Sequence, residues 1–396
     1  MSDFSQIAVS PVPGQRIADS ERGLLLAIVA FAAVVPAVLL MAPAVAGQLA
    51  LQFGWGPVAI GNLFAAELGA MSLASLPAWY WLPRSHWQRA TLVAGLGFIA
   101  ANLASLMVAS YTGLLVCRFL SALAGGSLMV LCMSAAAQTR NPDRVYSLWV
   151  MGQLVLGALG LILLPALSAR YGIAACYAGL AGLMVLCLPL ARYLPSGASP
   201  QRSSQPQATP EVGGDRRWQV LGCAAVLSFY ISLSGVWTFA GGLASQAGID
   251  AQQSGNILAM ATLLGVVGAV CAALLGQRIR RVHVLLAGYL MMMAAILLLL
   301  WQPAMPRFTV ATFLFKFAWT FVLPFILASL AHLDRGGRMM SAINLVIGAG
   351  LAIGPAVAGQ IIAANGGSFQ LLLQLAVAMA AVSLGMMLWL QRRTRV

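Results

Sequence analysis

Two matching segments of the sequence decide the fold. The first is Gln52-Phe-Gly-Trp-Gly-Pro-Val-Ala-Ile-Gly61-Asn62, and the second is Gln246-Ala-Gly-Ile-Asp-Ala-Gln-Gln-Ser-Gly255-Asn256. Both follow the pattern Gln-x-Gly-x6-Gly-Asn, and an offset of 194 residues separates them. The same offset relates Arg84 to Arg278, Arg144 and Ser147 to Arg338 and Ser341, and Gly160 to Gly354. The chain is therefore predicted to contain two similar halves.

The composition predicts that both halves lie in a lipid bilayer. Hydrophobic residues make up 61% of the 396 residues and charged residues only 8%, whereas soluble domains contain about 25% charged residues. The net charge of +13 arises from arginines in short runs between apolar stretches, and no basic face is formed. A nucleic-acid partner is therefore excluded. The six cysteines lie in apolar stretches without CxxC spacing, which is typical of helix-packing residues.

Twelve apolar runs are long enough to cross about 30 Å of hydrocarbon, and helices are implied because lipid offers the backbone no hydrogen-bond partner. They begin near Gly23, Pro57, Ala90, Thr112, Val145, Ile173, Val220, Gly255, Val284, Thr309, Ala342 and Leu371. A stretch rich in Ser, Pro, Gln and Gly separates the sixth run from the seventh and is typical of a flexible linker. The predicted segments are a tail (1–22), a six-helix bundle (23–191), a linker (192–217), a second six-helix bundle (218–391) and a tail (392–396).

The positions of the arginines predict the orientation. With a cytoplasmic N-terminus, almost every loop arginine lies on the cytoplasmic side, and only Arg170 and Arg307 lie on the other. This asymmetry satisfies the positive-inside rule. We therefore expect a multi-pass protein of a bacterial-type inner (plasma) membrane, with both termini and the linker in the cytoplasm. Two halves that both begin there are parallel repeats related by an axis along the membrane normal.

The motifs between and within the runs resemble those of the major facilitator superfamily, over nearly all of residues 23–391. Arg118-Phe-Leu-Ser-Ala-Leu-Ala-Gly125-Gly126 resembles the superfamily's motif B, an intramembrane arginine followed by small residues. The loop Arg140-Asn-Pro-Asp-Arg144 is also similar. The gating loops depart from the pattern, because Leu82-Pro-Arg84-Ser-His-Trp-Gln-Arg89 and Gln277-Arg278-Ile-Arg280-Arg281 lack its acid and glycine. The resemblance implies an all-helical, twelve-span fold, with gating arginines at Arg84, Arg89, Arg144, Arg278, Arg281 and Arg338.

Three ionisable side chains are predicted to lie well inside the bilayer: Glu67, Arg118 and Lys316. Each costs about 2.5 to 3.5 kcal/mol when placed centrally, so each should face a cavity or a partner. Glu67 is the only carboxyl group available there to couple a proton to transport, because low dielectric favours its protonated form. The alternative for Glu67 is a structural ion pair or hydrogen bond that fixes helix packing.

The resemblance also implies that the first, fourth, seventh and tenth helices line a central cavity. The candidate substrate-binding residues on these helices are Arg118, Tyr230, Ser234, Trp237, Thr312, Lys316, Trp319 and Thr320. Lys316 has no counterpart in a superfamily-wide motif, which favours a substrate-specific role. The alternatives are helix packing for the aromatic residues and packing or gating for Arg118.

These observations predict a proton-coupled secondary transporter of a small solute, anionic or amphipathic, that works by alternating access. Glycines and prolines of the fifth and eleventh helices resemble the antiporter motif of the superfamily and favour export. An uncoupled facilitator and an uptake carrier are the alternatives. A membrane-embedded enzyme is disfavoured, because the spans contain no HExxH, no histidine and no acid pair. We expect no cofactor and no metal, with the substrate, protons and lipid as partners of a monomer.

Overall fold

A computed structural model of the chain describes residues 13–197, 216–275, 279–301, 303–331 and 338–393. Every regular element in these residues is helical, and no strand occurs among them. Two short 3-10 helices, Leu82–Arg84 and Leu188–Tyr193, accompany the α-helices. The α-helices are α1 (Pro13–Val34), α2 (Ala37–Leu40), α3 (Ala42–Phe53), α4 (Pro57–Leu73), α5 (Ala78–Trp81), α6 (Trp87–Met107), α7 (Tyr111–Ala137), α8 (Pro142–Tyr171), α9 (Ala174–Cys187), α10 (Arg216–Thr238), α11 (Ala240–Gln246), α12 (Ala251–Leu275), α13 (Arg281–Leu298), α14 (Met305–Ala331), α15 (Arg338–Ala364) and α16 (Gln370–Arg393).

Ten helical segments of the described residues are long and apolar enough to cross a membrane: α6, α7, α8, α9 together with the 3-10 helix Leu188–Tyr193, α10, and α12 to α16. Helix α4 is apolar but shorter. The remaining crossing is divided among α1, α2 and α3, because the chain is broken near Pro36 and again at Met41. Together these segments account for the twelve predicted spans.

Pro36 breaks the first crossing and creates a hydrogen-bond acceptor inside the protein. A proline has no N–H group, so the carbonyl four residues earlier loses its helical donor. That carbonyl belongs to Ala32, and it accepts a hydrogen bond from the Gln153 side chain of α8 instead (Nε2 to O, 3.0 Å). The break is therefore satisfied by a neighbouring helix of the same half. Pro43 has a similar consequence for the Leu39 carbonyl.

The two halves meet mainly along two seams, where α4 packs on α15 and α8 packs on α12, with further contacts from α3 to α10, α11 and α12. Successive crossings alternate in direction. The loops near residues 74–86, 138–141 and 188–197 therefore lie on one side, here called the termini face. The loops near residues 54–56, 172–173, 247–250 and 365–369 lie on the other side, here called the opposite face. Contacts of α3 with α11 join the halves near the opposite face.

The two seams are built by the same position of the repeated pattern. A side chain at Gly61 of α4 would overlap the carbonyl oxygen of Pro355 on α15. A side chain at Gly255 of α12 would likewise overlap the carbonyl oxygen of Leu161 on α8. The offset of 194 residues relates Gly61 to Gly255 and also Leu161 to Pro355. The glycines of the two segments therefore allow equivalent close backbone approaches between the halves.

The glutamines of the repeated pattern fix equivalent loops within each half. Gln52 Oε1 accepts a hydrogen bond from the Ile173 backbone N–H at 2.7 Å. Gln246 Nε2 donates to the Gly367 carbonyl oxygen at 3.0 Å. Each glutamine thus holds the last loop of its half against the end of that half's first crossing. The two halves therefore repeat this contact as well as the sequence pattern.

The predicted segment boundaries stay predictions. Helix α1 already begins at Pro13, inside the predicted N-terminal tail, and α10 begins at Arg216, inside the predicted linker. Residues 1–12, 198–215 and 394–396, which belong to the predicted tails and linker, lie outside the described residues.

Candidate functional site

The three ionisable side chains predicted inside the bilayer are all buried. Glu67 is 7% exposed, Arg118 1% and Lys316 2%. At a rise of 1.5 Å per residue, Glu67 lies about 15 Å along α4 and Lys316 about 16 Å along α14, which is close to half of a bilayer core. Both charges are therefore far from either surface and depend on partners within the protein.

Glu67 and Arg118 form an ion pair between α4 and α7. The Nη2 atom of Arg118 lies 2.7 Å from Oε1 of Glu67, and Nε donates to the same oxygen at 3.2 Å. Among the described residues, both hydrogen bonds to this carboxylate reach Oε1. A charge-assisted pair at this depth offsets the cost of burying each ion separately.

Polar side chains of α6 and α7 complete the surroundings of the Arg118 guanidinium. Its Nη1 donates to Asn102 Oδ1 at 2.8 Å, and its Nη2 donates to the Ser121 hydroxyl at 3.2 Å. Asn102 Nδ2 in turn donates to the same hydroxyl at 2.9 Å. The Tyr177 ring of α9 covers the guanidinium, with 4.5 Å from Cζ to the ring centroid. We call Glu67, Asn102, Arg118, Ser121 and Tyr177 the arginine cluster.

The arginine cluster lies inside the first half, among α4, α6, α7 and α9. Arg118 was expected to line a cavity shared with the second half. In this structure its guanidinium instead faces the neighbouring helices of its own half, because an acid, an amide and a hydroxyl converge there. A role of Arg118 in substrate contact stays a prediction. The sequence did not point to Asn102 or Tyr177 as partners of Arg118. Asn102 could have been noticed, because it is a lone amide within an apolar run.

Lys316 lies in an aromatic site between α10 and α14. Its Nζ atom is 3.5 Å from the Trp237 ring centroid and 4.3 Å from that of Trp319. The ring of Phe315 stacks on Trp237, with centroids 6.4 Å apart. Among the described residues, no acid pairs with Lys316 and none accepts a hydrogen bond from its ammonium. Two indole faces therefore stabilise the cation, as cation–π contacts do in desolvated sites.

Trp237 also connects the two halves. Its Nε1 donates to the Leu39 carbonyl oxygen of α2 at 3.0 Å. Pro43 lies four residues after Leu39 and has no N–H group, so the helix cannot supply this carbonyl with its usual donor. The indole provides that hydrogen bond from the second half. Lys316, Trp237 and Leu39 thus form a continuous set of contacts across the boundary between the halves.

The other predicted binding residues of α14 serve helix packing in this conformation. Thr312 bonds the Phe308 carbonyl of its own helix at 3.0 Å. Thr320 donates to the Gly265 carbonyl of α12 at 2.7 Å and thereby holds α14 on α12. Trp319 is half-buried beside Lys316. Of the predicted binding residues of α14, Lys316 and Trp319 therefore form the aromatic site, whereas Thr312 and Thr320 bond to backbone carbonyls.

The predicted wall residues of α10 are divided between two neighbours. Ser234 is fully buried and donates to the Gly350 carbonyl of α15 at 3.1 Å. A side chain at Gly350 would also contact Tyr230 closely. Both residues therefore pack α10 on α15, where small residues let the helices approach. The Tyr230 side chain also hydrogen-bonds the Trp319 side chain of the aromatic site. Trp237 is the predicted α10 residue that faces Lys316 and the first half.

The predicted gating arginines lie on the termini face wherever their side chains are described. Arg84 donates to the Tyr80 carbonyl at 2.6 Å and covers the Tyr80 ring. Arg89 and Arg144 are exposed, and Arg281 is half-buried. The adjacent Gln88 donates to the carbonyls of Arg192 and Leu194, so this loop is held within its own half. Arg278 lies outside the described residues, and α15 begins at Arg338.

A cleft of about 390 Å³ enters between the halves from the opposite face. The ends of α3, α8, α11 and α12 line it, mostly with small side chains, and Gln48 and Asp250 are among its polar residues. Pro43 lies in its wall. The cleft therefore lies beside the start of α3, which follows the Leu39 contact with Trp237. No group of residues that could hold a metal ion occurs among the described side chains.

A helical membrane protein with two related six-helix halves and a boundary running between them has the architecture of a membrane transporter. The chain belongs to the major facilitator superfamily, because the family model "Major Facilitator Superfamily" matches residues 23–228, more than half of its length. The predicted family and the twelve-span fold are thereby confirmed, and the protein is a multi-pass membrane transporter.

Solved structures are similar over nearly the whole chain. A mutant of the nucleoside transporter NupG aligns with a TM-score of 0.71 at 11% identity, covering 94% of this chain and 100% of that one. A bacterial homologue of the human lysosomal transporter Spinster, in an inward-facing and unoccupied conformation, aligns with a TM-score of 0.65 at 13% identity, covering 97% and 96%. No match was found among curated proteins. At these identities the likeness establishes the fold.

Proposed function

We propose that the protein is a secondary active transporter of a small organic anion or acid-bearing amphipathic solute, and that Lys316 binds the acid group. One observation carries this proposal. Lys316 is a fully enclosed ammonium at mid-depth, at the boundary between the halves, without an acid partner among the described residues. Cation–π contacts stabilise such a charge without neutralising it. An anionic substrate would supply the missing counter-charge, and the surrounding indole rings suit an apolar body.

The arginine cluster is the proposed proton-coupling site. Protonation of Glu67 would remove the negative charge that holds Arg118 and would leave the guanidinium to Asn102, Ser121 and the Tyr177 ring. Because a buried guanidinium without a counter-ion is costly, the packing of α4 on α7 would change. Helix α4 also forms the seam with α15, so such a change would reach the boundary between the halves. This supports proton coupling by Glu67.

We further propose a bacterial-type inner membrane with the termini face in the cytoplasm, as the arginine asymmetry indicates. In that orientation the contacts between α3 and α11 join the halves on the periplasmic side. Export then requires these contacts to separate. The glycine and proline pattern of α8 and α15 favours the same direction. A monomer suffices, because both halves of the site belong to one chain.

An uncoupled facilitator is the second candidate, because Glu67 is held by two hydrogen bonds in a cluster that would also fix helix packing. A comparison of metabolites inside and outside cells, with and without the protein, should identify the substrate. Flux of that substrate into proteoliposomes, with and without an imposed pH gradient, then separates the candidates. Accumulation that requires the gradient supports coupling. Equilibration of the substrate without accumulation would support the facilitator. Substrate flux that is unaffected by Lys316→Ala would contradict the proposed substrate site.

A further inference from the structure

We propose that Trp237 is a latch between the halves: its indole holds the Leu39 carbonyl, and an anion bound at Lys316 weakens that hydrogen bond. This inference rests on the proposed function, because it assigns a consequence to anion binding at the same lysine. It identifies Trp237 as a positioning residue for alternating access.

The hydrogen bond has a structural cause on both sides of the boundary. Trp237 is 1% exposed, so its indole N–H has no access to water and must find an acceptor within the protein. The Leu39 carbonyl is available because Pro43 cannot donate to it. Pro43 also lies against Gly241 of α11, where a side chain would overlap the Pro43 carbonyl oxygen. One proline therefore frees the acceptor and forms the adjacent close contact between α3 and α11.

The charge of Lys316 acts directly on this hydrogen bond. The ammonium lies 3.5 Å from the Trp237 ring centroid, where it draws π-electron density toward itself. The indole N–H becomes more positive and donates more strongly to Leu39, as polarised groups in a chain of contacts do. An anion paired with Lys316 cancels this effect and draws the ammonium away from the ring. The latch is then weakest when the site is occupied.

The proposed order of events follows from these contacts. The empty site keeps Lys316 on Trp237 and keeps α11 in contact with α3. Anion binding loosens the contact with Leu39, and α11 can then separate from α3. The cleft beside Pro43 and Gly241 widens toward the site. Occupancy of the site thereby favours separation of the halves at the opposite face.

Hydrogen–deuterium exchange of the full chain in lipid nanodiscs tests the latch without any substrate. The measured segments are α3 and α11, whose backbone N–H groups become exposed when the halves separate. Trp237→Phe keeps an aromatic ring under Lys316 but removes the N–H donor. Lys316→Gln removes the charge and keeps the indole. Pro43→Ala restores an N–H group that competes for the Leu39 carbonyl without changing Trp237.

We expect Trp237→Phe and Pro43→Ala to raise the exchange rate of α3 and α11 by about two- to thirteenfold, the range for loss of one hydrogen bond. Lys316→Gln should raise it by less, because the hydrogen bond is then weakened and not lost. Adding Lys316→Gln to Trp237→Phe should cause no further increase, because the charge acts through the indole N–H. Trp389→Phe is the matched control: Trp389 is 52% exposed on α16, so this change should leave both segments as in the wild type. Wild-type exchange in Trp237→Phe, or additive effects in the double variant, would overturn the latch. If Trp237→Phe does not fold, the exchange rates of Pro43→Ala test the latch instead.

Transport by the same variants separates the two proposals. Transport that depends on Lys316, together with unchanged exchange in Trp237→Phe and Pro43→Ala, would reject the latch and keep the substrate site. Transport independent of Lys316 would reject the proposed function, whereas the exchange data would still report on the contact between Trp237 and Leu39.

Discussion

Glu67 and Arg118, which are 51 residues apart in the chain, form a buried ion pair at 2.7 Å between α4 and α7. Asn102 and Ser121 bind the remainder of the guanidinium, and Tyr177 covers its face. The pair joins the helix that forms a seam with the second half to the helix that carries the arginine motif. The contribution of this pair to stability and the proposed role of Glu67 in proton coupling can be tested separately.

Glu67→Leu should destabilise the protein by roughly 3 to 5 kcal/mol, because it leaves the Arg118 charge buried without a counter-ion. The double variant Glu67→Leu with Arg118→Met should regain most of this loss, since Asn102 and Ser121 still bond to each other. Unfolding of the purified variants in detergent measures both effects. If the double variant is no more stable than Glu67→Leu, the ion pair does not determine stability.

Glu67→Gln keeps an acceptor for Arg118 but cannot ionise. It should retain folding and exchange of substrate at equal concentrations, while accumulation driven by a pH gradient is abolished. Glu67→Asp should retain partial coupling, because the titrating group remains with a shorter reach. Proteoliposome flux with and without a gradient measures these outcomes. Uphill transport by Glu67→Gln at the wild-type rate would show that protons are coupled elsewhere or not at all.

Lys316→Ala should reduce transport at least about tenfold, because an ion pair with the substrate in a desolvated site contributes more than 1.4 kcal/mol. Lys316→Arg should lose much less, since a guanidinium keeps the charge and stacks on the Trp237 and Trp319 rings. Initial rates at low substrate concentration measure the difference. Equal, unimpaired rates in both variants would remove Lys316 from the site.

Gly61→Val and Gly255→Val should both impair transport and lower thermal stability, because the added side chain meets a carbonyl oxygen of the other half. Overpacking of this kind costs about 1 to 3 kcal/mol. Gly182→Val is the control, since a side chain there meets no atom within 4 Å. Melting curves and flux should change together at the two seam positions. A defect at one seam alone would contradict their equivalence.

The orientation can be tested with impermeant thiol reagents on intact cells. A cysteine placed in the linker, as in Ser204→Cys, should react only after the membrane is permeabilised. A cysteine on the opposite face, as in Ser245→Cys, should react from outside. The unmodified protein controls for its six native cysteines. Labelling of the linker from outside would reverse the orientation and the direction of transport inferred from it.

The sequence by itself determined the spans, the two halves and the family. Bilayer thickness sets the length of each apolar run, and a repeat at a fixed offset is visible without any contact. The pattern around Gly61 and Gly255 identified the equivalent positions of the two seams. It did not identify their partners, because Leu161 and Pro355 lie in helices that the sequence alone cannot place beside them.

Only the tertiary structure decided which side chains meet. Membrane helices are apolar on almost every face, so periodicity does not indicate how a helix is rotated toward its neighbours. Arg118 was expected to line the central cavity, yet its side-chain partners lie within its own half, on α4, α6, α7 and α9. Lys316 was expected to face a cavity or a partner, and among the described residues the structure supplies aromatic rings and no acid. The contact of Trp237 with Leu39 depends on a proline in one half and an indole in the other, and only the packing of the two halves brings them together.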